Sequence, residues 1–145
     1  MTTTSRKSNI ATGVAFLLAG ALTAGAVPAN AVTIHVTLSG DQEVPPVRTA
    51  ASGEGSFSIG DDRSVSGSVT TKGVKGTMAH IHEAAPGQNG GVAVPLTRKS
   101  GDEWTVPAGA RLTDEQFEAF KAGNLYVNVH SDANKGGEIR GQLKP

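Results

Sequence analysis

The sequence predicts an all-β domain: an antiparallel immunoglobulin-like or Greek-key β-sandwich with one short helix. Three observations lead there. Short runs of apolar–polar alternation recur along the chain, each bounded by Gly, Pro, Asp or Asn. A helical start signal stands at one place, Thr113. And 19 glycines with no cysteine suit tight strand crossings held by a core rather than by disulfides.

The first 31 residues are set apart from this pattern. Arg6 and Lys7 precede an apolar run from Ile10 to Val27, and Ala29-Asn30-Ala31 places small residues where a signal peptidase reads. The expectation is a secretory signal peptide over residues 1–31 and a secreted or extracytoplasmic product. The apolar run spans about 18 residues, and no basic cluster follows it, which argues against a retained anchor. No membrane span remains after cleavage. Residues 32–145 then form a single domain.

Each element of that domain has its own signal. Residues 33–38 alternate, with Ile34, Val36 and Leu38 on one face. Val44-Pro45-Pro46-Val47 cannot be a central strand, because neither proline has a ladder donor. Residues 54–59 alternate again, with Phe57 and Ile59 together, and Gly60-Asp61-Asp62 turns the chain into 64–71. In residues 76–83, Met78, His80 and His82 share one face while Ala79 and Ile81 share the other. Residues 92–96 and 104–106 are short strands. Thr113 and Gln116 form a capping-box pair, Phe117 and Phe120 anchor a short helix, and Gly123 ends it. Residues 124–130 put Leu125, Val127 and Val129 on one face and Tyr126, Asn128 and His130 on the other. Asn134-Lys135-Gly136-Gly137 is a hairpin turn into 138–143. Aromatics are only 4% of the chain, so the core rests on Val, Ile and Leu.

Composition excludes several function classes. Without cysteine there is no thiolate zinc site, blue-copper centre or cysteine nucleophile. Basic and acidic residues number 13 each, and no basic patch with stacking aromatics exists, which excludes nucleic acid. Neither a Gly-x-Ser-x-Gly elbow nor a phosphate loop is present. Residues 131–138 carry spaced oxygen ligands but lack the Glu at position twelve and the flanking helices of a calcium loop.

The histidines carry the sharpest local signal. A strand places His80 and His82 on one side, about 6.5–7 Å apart at the backbone, close enough to converge on one ion. His130, on the polar face of a second strand, is the natural third ligand. His35 is a candidate fourth, and Met78 a candidate soft ligand for reduced copper or else core filler. Neutral imidazoles bind copper, zinc, nickel or iron. Copper would bring redox chemistry with a small oxidant such as superoxide, and Arg140 or Lys135 could attract an anion. The competing reading is a solvated histidine face on a metal-free extracellular module of the cell envelope, with a protein partner.

Several separated segments together resemble the CHRD domain family, named after chordin. They are Leu38 to Val47 with Glu43-Val44-Pro45-Pro46, Gly53-Glu54-Gly55, Ala79-His80-Ile81-His82, Gly87 to Gly91, and Trp104 before Pro107. Leu125 to Ser131 and Gly136 to Leu143 complete the series. The likeness spans nearly all of residues 33–143. It implies an exported β-sandwich-like domain, with the motif histidines falling on His80, His82 and His130. The layout is also loosely similar to copper-zinc superoxide dismutases, whose disulfide and histidine-rich zinc loop have no counterpart here.

Overall fold

The structure is a computed structural model that describes Met1, Thr2 and residues 30–145. Most of the expected signal segment lies outside the described residues. Among the described residues, nine strands form one antiparallel sheet: β1 (Ala31–Ser39), β2 (Ser52–Gly60), β3 (Val65–Lys72), β4 (Gly76–Glu83), β5 (Gly91–Pro95), β6 (Thr97–Ser100), β7 (Glu103–Thr105), β8 (Leu125–Ser131) and β9 (Ile139–Leu143). Helix α1 covers Asp114–Lys121, and Gly40–Gln42 forms a single 3-10 turn.

The sheet order is β5-β4-β8-β9-β1-β2-β3-β7-β6. Its two edges belong to one continuous segment. Residues 91–95 pair with β4, the Leu96 N–H donates to the Ala79 carbonyl at 2.9 Å, and residues 97–100 pair with β7. The sheet therefore curls into a sandwich that is nearly a closed barrel, which leaves little unpaired edge. Arg98 reinforces the seam: it bonds the Gly76 carbonyl and lies over the Trp104 ring at 4.2 Å.

The alternating apolar residues point inward as the periodicity predicts. Ile34, Val36, Leu38, Phe57, Ile59, Val69, Ile81, Val127 and Ile139 are all buried in one core. Each such side chain contributes roughly 1.5–3 kcal/mol on burial, so the cysteine-free domain stands on this interior. α1 is capped as its sequence implies. Thr113 Oγ1 accepts from the Gln116 N–H at 3.1 Å, and Gln116 Oε1 accepts from the Thr113 N–H at 2.9 Å. Phe120 is buried and Phe117 packs partly against the core.

Two elements depart from the sequence expectation. β6, Thr-Arg-Lys-Ser, is exposed at every position. It has no apolar alternation and forms because β5 and Leu96 deliver it to β7. β8 is buried at every position, so its polar face is covered. That face belongs to the site.

Candidate metal centre

The outer side of β4, β8 and β9 forms a second, polar interior. Its residues are His80 and His82 from β4, Tyr126, Asn128 and His130 from β8, and Arg140 and Gln142 from β9. Strand registry sets them side by side: His82 opposite Tyr126, His80 opposite Asn128, and Asn128 opposite Arg140. Tyr126 and Asn128 are only 2% and 1% exposed. Three loops cover them. Asn89 ties two of these together, donating to the Val44 carbonyl at 2.7 Å and accepting from Arg140 at 3.2 Å. The turn before β9 is tied down by Asn128, whose amide donates to the Gly136 carbonyl at 3.4 Å.

His80, His82 and His130 come together here. Each offers one ring nitrogen, and the three atoms lie within 4.8 Å of one another. This cluster can coordinate a metal ion. Two of its members are pre-set. His82 Nδ1 is 3.0 Å from the Gly90 carbonyl, and His130 Nδ1 is 2.8 Å from the Lys135 carbonyl. A carbonyl only accepts, so each Nδ1 carries the proton and each Nε2 of the neutral ring keeps its lone pair. His82 Nε2 is buried and makes no well-formed hydrogen bond in the protein, with the Asn128 side chain beside it, a state open to a ligand role. His130 Nε2 lies 3.0 Å from His80 Nδ1. Without an ion His80 donates across that contact; in the other neutral tautomer, with the proton on His80 Nε2, both nitrogens would present lone pairs to an ion.

Burial keeps two of the donors neutral. Burial lowers the pKa of His80, and the neighbouring His130 and His82 lower it further. Burial also lowers that of His82, against the opposing hydrogen bond to Gly90. Imidazoles that resist protonation remain available to a metal.

The surrounding residues hold this arrangement. The Tyr126 ring stacks on His82 with centroids 4.9 Å apart and planes 5° apart, and the Arg140 guanidinium lies 3.4 Å from the same ring. β4 and β9 flank β8 on opposite sides, so Tyr126 sits between the histidine and the arginine. Arg140 is a structural cation in this stack, not a free anion-attracting group. Glu43 reaches in from the Val-Pro-Pro loop and is 4% exposed. Burial pushes its carboxyl up to about 7, against the Arg140 charge and a hydrogen bond from Asn128. Gly137, at φ +129°, permits this approach: a Cβ there would collide with Glu43 Oε1 and Asn128 Nδ2.

Other sequence candidates stay outside. His35 is exposed on β1, opposite Ser56, and lines a shallow cavity on another part of the sheet. Lys135 contributes its carbonyl, not its charge. Apart from these, Glu138 accepts from Thr49 at 2.7 Å and Ser131 at 2.5 Å. Sequence reasoning placed Tyr126 and Asn128 on the histidine face but missed their burial, and it missed the part of Glu43 and of Gly90.

Residues 34–143 match the model of the CHRD domain. The chain belongs to the CHRD domain family. No curated protein and no solved structure matches it. In this CHRD domain, the family segments that look unrelated along the chain are those that build the polar interior: the Glu-Val-Pro-Pro loop, the His-x-His strand, the glycine loop and the final two strands. Among the described residues, no helix is long and apolar enough to cross a membrane.

Gly90 gives a direct test of the orienting bond. A Cβ at Gly90 would overlap the Glu83 carbonyl, whereas at Gly91 it would meet open space. Gly90→Ala must shift the loop that fixes His82 Nδ1. Its metal affinity is expected to fall about 10–100-fold, with Gly91→Ala unchanged, as read by competition titration. Equal affinities for the two variants would show that the Gly90 carbonyl does not orient His82.

Proposed function

We propose that this CHRD domain is an exported copper-binding domain whose ion is held by His80, His82 and His130. The observation that carries the proposal is the pair of lone-pair nitrogens aimed by backbone carbonyls, with His82 Nε2 buried and making no well-formed hydrogen bond. A histidine face serving only for solubility has no need of fixed tautomers. The donor set is all imidazole, which suits copper, zinc and nickel, and divalent copper binds such sites most tightly of the first-row ions. Export rests on the basic-then-apolar leader over residues 1–31.

Copper held in this way would supply one-electron redox chemistry, the basis for expecting activity toward superoxide. The chain's own part is to hold His80 and His82 neutral, to fix two of the three rings, and to leave His80 as the partly exposed member through which a small molecule approaches.

Protein prepared without an affinity tag should take up about one equivalent of Cu(II), and His82→Ala should abolish stoichiometric uptake. A superoxide turnover assay on the loaded protein then separates an enzyme from a carrier. Absence of stoichiometric metal in the wild type would reject the proposal and favour a metal-free interaction module of the cell envelope.

A further inference from the structure

Met78 has no structural role that explains it. Core filler is the ordinary use of methionine, yet this side chain is 49% exposed. Its position is specific. The β4–β8 registry shifts between Gly76 and Met78, after which Met78 stands directly opposite His130. The shift leaves Met78 on the outer face with His80, while Ala79 and Ile81 fill the core at 1% and 0% exposure. Directly opposed Cβ atoms on neighbouring strands are about 4.5–5.5 Å apart. A methionine, with three rotatable side-chain bonds, spans that gap readily.

The side of the cluster matters equally. His82 and His130 are buried at 8% and 6% exposure, with Tyr126 and the loops behind them, whereas His80 is only partly buried. The approach from solvent is therefore on the side of His80. Met78 lies one strand repeat from His80, on that same side. Among the described residues no carboxylate joins the three histidines as a further ligand.

We infer that Met78 is a fourth, thioether ligand that closes over the three histidines when the bound ion is cuprous, making the site selective for Cu(I) over zinc. This inference rests on the copper reading above. Its chemistry is that of ligand softness: a neutral thioether adds affinity for Cu(I) and little for Zn(II), which favours imidazole, thiolate and carboxylate. No other residue need move, since an exposed side chain on a fixed strand has only its own torsions to reset.

The test compares wild type with Met78→Leu, an apolar exchange of similar volume that keeps the fold. Cu(I) affinity, read by competition with a chromogenic cuprous chelator, should fall at least about tenfold in the variant, while Zn(II) affinity stays within about twofold. X-ray absorption of the Cu(I)-loaded wild type should show one sulfur scatterer that the variant lacks. Unchanged Cu(I) affinity, or no sulfur in the wild type, overturns the role of Met78 while leaving the histidine site standing, provided His82→Ala still abolishes binding. If the wild type binds neither ion, the copper reading fails and the thioether ligand with it.

Discussion

Replacing Arg140 by alanine should destabilise the domain by about 2–5 kcal/mol at pH 8, the range for truncating a large buried side chain together with its hydrogen bonds. Arg140 is 1% exposed although it carries a guanidinium, so its removal has several consequences at once. The ring of Tyr126 loses the cation stacked at 3.4 Å, and Asn89 and Gln142 lose hydrogen bonds of 3.2 and 3.3 Å. Glu43 loses the positive charge that favours its ionisation. That last effect gives the prediction its shape. At pH 8 the Glu43 carboxyl, held at about 7 in the fold, is mostly ionised, and the variant must either bury an uncompensated charge or take up a proton. At pH 5 it is already protonated, and the cost shrinks to lost packing and hydrogen bonds.

Urea unfolding at the two pH values, with a chelator present, measures both parts. Arg140→Lys should fall between wild type and alanine, since it keeps the charge but not the planar stack. A loss below about 1 kcal/mol at pH 8, or the same loss at pH 5, would contradict the coupling to Glu43.

The extent to which the sequence foretells this molecule follows from what periodicity encodes. Alternation states which side chains share a face. It therefore places Ile34, Val36 and Leu38 inward, and sets His80 beside His82. It does not state what lies above a face. Tyr126, Asn128 and His130 alternate with Leu125, Val127 and Val129 as they would on a solvated strand, yet the loops carrying Val44 and Asn89, far earlier in the chain, and the turn at Gly136 close over them. The fixed tautomers are equally silent, because Gly90 and Lys135 act through carbonyls that every residue possesses. Only the glycine at 90 leaves a trace, as the residue type that can lie against the Glu83 carbonyl. His35 shows the opposite failure. It satisfies the polar-face rule on its own strand, but β9 and β8 separate that strand from β4 in the sheet.

Glu43→Gln should reverse part of the pH dependence of folding. A carboxyl whose pKa rises from 4.5 in the unfolded chain to about 7 in the fold binds its proton more tightly when folded. Its contribution to stability is therefore full below 4.5 and is lost as the pH rises through about 7, amounting to roughly 2–3 kcal/mol between pH 5 and pH 8. Glutamine keeps the shape and cannot ionise. Relative to wild type, the variant should thus gain about 2–3 kcal/mol as the pH is raised over that interval. His80 and His82 act in the opposite sense. Their lowered values mean that stability present above the ordinary histidine range is lost as the pH falls through it. Both proteins share this histidine effect, so it cancels in the difference. The measurement is paired chemical unfolding of metal-free protein at several pH values. A flat difference would mean that Glu43 is solvated or ionised throughout, and that the polar interior is open to water at the Val-Pro-Pro loop. A rising difference would mark that loop as a seal: it keeps water from the stack of Arg140, Tyr126 and His82, and so from the buried side of the three histidines.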